Sequence, residues 1–158
     1  MNALIIDTGA NAVTNSGTLE ATGNGSAMIS GAGVLEFGAA SDQHVIFVDG
    51  AAGTLKLDAA SDFTGSVSGF GAGDKLDLRD LLVGEHSDGV GANLADYLNF
   101  ASTNSGADTV IQVSTHGGGA AGVDQTIVLQ GVDMTTLGAD DSAIISSMLA
   151  ANKLIVDA

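Results

Sequence analysis

Apolar residues in the first eighty positions come in short runs cut by turn residues. Three runs share a frame: Gly17-Thr18-Leu19-Glu20, Gly33-Val34-Leu35-Glu36 and Gly53-Thr54-Leu55-Lys56. A fourth, Lys75-Leu76-Asp77-Leu78, fits if the glycine shifts by one place. The leucines step by 35−19 = 16, 55−35 = 20 and 76−55 = 21 residues. A second apolar strand falls between them each time: Ala27-Met28-Ile29, Val45-Ile46-Phe47-Val48 and Gly65-Ser66-Val67-Ser68. Asn24-Gly25, Asp49-Gly50 and Ser61-Asp62 supply the turns. Self-similarity at about 20 residues, with short strands and glycine turns, predicts a β-solenoid. One coil is too short to bury its own apolar side. Stacked coils would place Leu19, Leu35, Leu55 and Leu76 on one interior ladder, with strands about 4.8 Å apart. The fold expected is mainly β: a right-handed parallel β-helix or β-roll solenoid over residues 1–80. Asn-Gly and Asp-Gly also signal hairpins, so a sandwich of hairpins is the alternative.

The pattern changes near Asp80-Leu81-Leu82-Val83. Residues 81–158 are predicted to form a small β-rich capping module with a short helix. Leu94, Tyr97 and Leu98 have the spacing of one helical turn. Residues 109–114 and 126–129 are β-branched runs, with a glycine-rich hairpin tip at 117–122 between them. Those glycines formally match G-x-G-x-x-G, but a strand follows them, whereas a dinucleotide site needs a helix N-terminus. Asp140 or Asp141 is suited to cap a helix whose apolar face is Ile144, Ile145, Met148 and Leu149. Asn152 is its expected stop, because asparagine tolerates the left-handed conformation. Residues 153–157 read as a last strand that pairs with a sheet edge and covers the end of the stack.

Composition narrows the function. Four basic against 19 acidic residues leave −15. That field repels nucleic acid and anionic lipid and suits divalent cations. Cysteine and proline are absent, so no disulfide holds the fold and no prolyl isomerisation slows it. With mean hydropathy at +0.33 the chain is too apolar for disorder. The first residues lack the basic and apolar regions of a signal peptide, and no run of about 18 apolar residues would span a membrane.

Candidate chemistry is sparse. His44, His86 and His116 are not at metal-ligand spacing, and no G-x-S-x-G elbow occurs. Glu20, Glu36 and Lys56 fall on one line of the predicted stack. They are either a carboxylate pair in a sugar-cleaving groove or a solvated face on which Lys56 relieves Glu36. Asp74, Asp77 and Asp80 cluster beside flexible glycines, and hard carboxylate oxygens suit calcium. These three are the candidate metal ligands, provided the Gly73-Asp74 turn redirects Asp74, since Asp74 and Asp77 would point to opposite faces of an extended strand.

Two blocks resemble a known family. Gly33-Val34-Leu35-Glu36-Phe37-Gly38, Gly53-Thr54-Leu55-Lys56-Leu57-Asp58 and Gly69-Phe70-Gly71-Ala72-Gly73-Asp74-Lys75-Leu76-Asp77-Leu78 resemble the glycine-rich β-helical repeats of bacterial surface and secreted proteins. Asp80-Leu81-Leu82-Val83-Gly84-Glu85, residues 94–100, Asp108-Thr109-Val110-Ile111-Gln112-Val113, residues 124–133 and the tail 153–157 resemble the C-terminal target domain of type I secreted, repeats-in-toxin-like (RTX-like) proteins. No intact G-G-x-G-x-D nonapeptide accompanies them. The resemblance implies a non-catalytic C-terminal module of an extracellular or cell-surface protein that folds outside the cell with calcium. Its implied partners are an inner-membrane ABC transporter and the periplasmic and outer-membrane duct, with no nucleic acid and no membrane insertion. An uncleaved export signal would lie at Ile144, Ile145, Met148, Leu149, Lys153, Leu154, Ile155 and Val156. A purely structural or adhesive surface β-helix, or a fragment of a β-helical carbohydrate-active enzyme, are the alternatives.

Overall fold

The computed structural model describes residues 4–5, 12–13, 26–48, 50, 52–58, 62–86 and 93–156. Leu19, Glu20, Asn24, Asp49, Ser61 and Asp157 lie outside the described residues. The fold is mainly β, with two sheets and one short helix. Eight short strands come first: β1 (Leu4–Ile5), β2 (Ala12–Val13), β3 (Ser26–Ile29), β4 (Val34–Phe37), β5 (His44–Phe47), β6 (Thr54–Leu57), β7 (Ser66–Ser68) and β8 (Lys75–Asp77). Then follow β9 (Leu98–Thr103), β10 (Asp108–Val113), β11 (Gln125–Gln130), α1 (Asp141–Ala150) and β12 (Leu154–Ile155).

The first eight strands alternate between the two sheets. One sheet is all parallel, in the order β12-β8-β6-β4-β2. The other has the order β1-β3-β5-β7-β11-β10-β9 and is parallel except for its last two pairings. Strands in β3, β5 and β6 alternate half-buried and buried residues, as a pleat with one face on the core requires. In register, Leu35 sits beside Leu55, Leu55 beside Leu76 and Leu76 beside Leu154. All four side chains are buried, so the expected ladder holds at its three described members and gains a fourth. The facing sheet supplies Ala27, Val45, Val67 and Leu129 on successive strands, also buried. Phe37 tilts against Phe63, and Phe47 meets Phe70 edge-on, each with ring centres 5.4 Å apart.

Glycine is required where strands leave the stack. Gly69 has φ +72°, and a Cβ there would lie 2.1 Å from the Phe47 carbonyl oxygen. A Cβ on Gly65 would lie 1.9 Å from the Gln43 carbonyl oxygen. Both sites exclude a side chain because adjacent turns approach too closely.

Beyond residue 80 both sheets continue. β11 adds to β7 in parallel and then carries the antiparallel β10 and β9. β12 adds to β8. One buried cluster runs from Ala27 to Val156. The helical turn expected at Leu94 is a 3-10 turn over Leu94–Asp96, and Leu98 already belongs to β9. The hairpin tip at 117–122 holds a 3-10 turn over Gly119–Gly122. Asp140 caps α1, its Oδ1 accepting from Ala143 N at 2.9 Å. Asn152 ends it with φ 55°.

Candidate functional site

Three carboxylates stand out in the sequence around residue 77, and the structure sends them to three places. Asp74 is buried in the turn before β8. Its Oδ1 accepts from Gly53 N at 3.1 Å and its Oδ2 from Gly71 N at 2.8 Å. It thus satisfies two turn amides that would otherwise lack partners. Asp77 is buried and grips Arg79, accepting from Nε at 3.0 Å and Nη2 at 2.8 Å. That fork raises the Arg79 pKa, through the Asp77 hydrogen bond first and its charge second. Asp80 is exposed and reaches Lys56 Nζ at 2.6 Å. Asp74, Asp77 and Asp80 therefore do not converge on one point.

A different group does converge. Glu36, Asp58 and Asp80 each offer an oxygen, and these atoms lie within 4.8 Å of one another. Lys56 Nζ sits among them, 3.0 Å from Glu36, 3.6 Å from Asp58 and 2.6 Å from Asp80. The pKa of Lys56 is raised by its hydrogen bonds to Asp80 and then Glu36. Asp58 is pushed up mainly by loss of hydration and then by the Glu36 charge, with Lys56 opposing. Three carboxylates share one internal ammonium, so the knot remains negative overall. Its oxygens are of the hard type that calcium takes, and the Lys56 ammonium occupies the space between them. Lys56 relieves Glu36, as one of the two alternatives expects, but Glu36 is buried rather than solvated. Asp58 was not foreseen as a member of this group. The sequence signal for it was the separation 80−58 = 22 residues, close to one repeat.

The histidines stay apart. His44 Nδ1 lies 2.7 Å from Ser66 Oγ and its Nε2 lies 3.0 Å from Ser68 Oγ. It therefore bridges β5 to β7 on the outer face of the mixed sheet. His116 Nδ1 lies 2.9 Å from Thr115 Oγ1, and His86 donates its backbone N–H to Asn93 Oδ1 at 2.7 Å.

The expected signal residues form one helix-turn-strand unit. Ile144, Ile145, Met148, Leu154 and Val156 are buried. Leu149, Lys153 and Ile155 are half-buried. Helix α1 packs on β9 and β12, and Asp141 Oδ1 accepts from Phe100 N at 2.9 Å, which occupies an amide on an edge strand. Lys153 Nζ donates to the Gly71 carbonyl and lies 4.9 Å from the centre of the Phe70 ring. Burial lowers its pKa, and Asp74 opposes that. The carbonyl of Gly71 and the amide it follows are thus held by Lys153 and Asp74 respectively. Among the described residues no helix is long and apolar enough to cross a membrane. No family model, curated protein or solved structure matches the chain.

Proposed function

We propose that the chain is the non-catalytic C-terminal module of an exported bacterial protein. Residues 1–80 are read as a right-handed parallel β-solenoid. Residues 81–158 are read as the unit that closes it and carries an uncleaved type I secretion signal. The observation that carries this reading is the state of the last helix and strand. Ile144, Ile145, Met148 and Leu154 are buried by the folded chain, and β12 extends the leucine ladder of β8. In an unfolded chain the same apolar side chains are open to a transporter. Folding outside the cell then covers them, at about 1.5–3 kcal/mol per large side chain. The solenoid reading is supported by strands that alternate between two sheets and pair in parallel with their counterparts one repeat away. The right hand follows from the strong preference of parallel crossovers for it. The partners are then an ABC transporter and its duct. The location is the cell surface or the medium, and calcium is the cation available during folding there.

A passenger fused ahead of the full 158-residue chain and expressed with a type I transporter tests this. Removing residues 152–158, or placing aspartate at both Ile145 and Leu149, should leave the passenger inside the cell. Efficient export of both variants would overturn the signal reading and leave the segment as a structural cap.

A further inference from the structure

The two sheets differ in what they turn outward. On β3, β5, β7, β11, β10 and β9 the residues that alternate with the core are half-buried or exposed. Asp108 is the only acidic side chain among them, and no lysine or arginine is present. Its oxygens are already taken, Oδ1 by Gly131 N at 2.8 Å and Oδ2 by Asn104 Nδ2 at 3.0 Å. On the facing sheet, four of the six outward positions of β4, β6 and β8 are charged: Glu36, Lys56, Lys75 and Asp77.

The centre of the uncharged face is polar but self-contained. Both ring nitrogens of His44 find partners within it, on Ser66 and Ser68. Covering the imidazole therefore leaves none of its hydrogen bonds unmade. Apolar side chains lie to either side. Met28 sits beside Ile46 on β3 and β5, and Val128, Val110 and Ala101 follow one another on β11, β10 and β9. Thr126 and Val128 also line a cleft of about 310 Å³ beside Gln125, where β11 parts from β7, so this part of the face is open.

Charge returns at one end. Asp42, Asp62 and Asp124 are exposed just ahead of β5, β7 and β11. Those three strands run parallel, so the three carboxylates share one end of the face.

We propose that two copies of the chain meet through this face. A chain with a balance of −15 repels its own kind wherever carboxylates oppose one another, and here the fewest do. A cationic partner would instead be drawn to carboxylates, which the centre of this face lacks. A two-fold axis running across the strands sets the copies antiparallel, with the acidic ends at opposite ends of the pair. The sheets then stack about 10 Å apart. Six strands of about five residues, at about 4.8 Å spacing, cover roughly 450 Å² on each copy. The total of roughly 900 Å² lies near the lower limit for a specific contact, so the dimer is weak and reversible. This inference is independent of the export reading, because it uses only the face and its charge.

Sedimentation velocity on the full chain, from micromolar to millimolar concentration and in low and high sodium chloride, tests it. A monomer–dimer equilibrium that tightens as salt screens the like charges is expected. Ile46→Glu and Val128→Glu should each weaken it by about tenfold or more. Thr54→Glu, which adds the same charge on the other sheet, should leave it within about twofold. Amide NMR shifts between dilute and concentrated parent should fall on β3, β5, β7 and β11, and this arm needs no variant to fold. A monomer at every concentration, assembly beyond two copies, loosening by salt, or shifts centred elsewhere would each overturn the proposal. So would equal weakening by Thr54→Glu, or undiminished association of folded Ile46→Glu and Val128→Glu.

Discussion

At the scale of single residues, Lys56 has the most demanding position. It faces Glu36, Asp58 and Asp80 from within 3.6 Å, and among the described residues it is the only cation in that knot. Lys56→Met would leave three carboxylates facing one another. The loss should exceed the ~1 kcal/mol of an exposed pair and stay below the ~3–5 kcal/mol of a fully buried one. The alkaline limb gives a sharper check. Lys56 has its folded pKa raised above the ordinary value of 10.5, so the folded state holds the proton more tightly than the unfolded state. Its contribution is fully present below 10.5 and is lost as pH rises through the folded value. Lys153 acts in the opposite sense, because burial lowers its pKa and its cost fades as pH rises. Urea midpoints for parent and Lys56→Met should therefore converge above pH 10.5. A constant gap from pH 7 to pH 11.5 would show that Lys56 acts by packing alone.

At the scale of elements, the leucine ladder links strands that are distant in sequence. Leu55 lies in its middle, fully buried between Leu35 and Leu76, whereas Leu154 ends it on a two-residue strand. Leu55→Ala should cost about 2–5 kcal/mol, since neighbours fixed on both sides cannot collapse into the void. Leu154→Ala should cost less, because an end strand can shift. Thermal melts of the two variants would decide it; equal losses would mean that β12 is held as firmly as the central strands. The ladder was legible because its period is local and its turns carry glycine. β9 was not legible: Leu94, Tyr97 and Leu98 have helical spacing, and the outer half of the strand, Ala101-Ser102-Thr103, is exposed and carries no large apolar side chain. Asp74, Asp77 and Asp80 have separate partners for a related reason. Asp74, Asp77 and Asp80 are neighbours in the chain, but a turn, a strand and a second turn aim them apart. Stacking brings together residues about one repeat apart, as it does Asp58 and Asp80. The return of β11 to β7, some sixty residues on, left no local trace, and the cleft beside Gln125 arises from that junction.

At the scale of the whole molecule, charge is both excessive and segregated. The balance of −15 includes four cations, and these lie on or beside β6, β8 and β12. Three of them are already engaged by acidic or carbonyl oxygens. Self-repulsion elsewhere must oppose the compact state, so sodium chloride should raise the melting temperature as the screening length falls to about 10 Å at 0.1 M. Calcium can add to this only by binding the folded state. A site filled at a hundred times its dissociation constant contributes about 2.7 kcal/mol, or about 5–10 °C for a chain of this size. Screening acts through ionic strength, while a site discriminates between ions, and magnesium demands a tighter octahedral shell than calcium. Melts in calcium, magnesium and sodium chlorides at one ionic strength separate the two effects. The proposed folding with calcium requires the calcium curve to lie above the other two by more than about 5 °C. If the three curves coincide, no specific calcium site stabilises the fold, and the acidic surface responds to salt through screening alone.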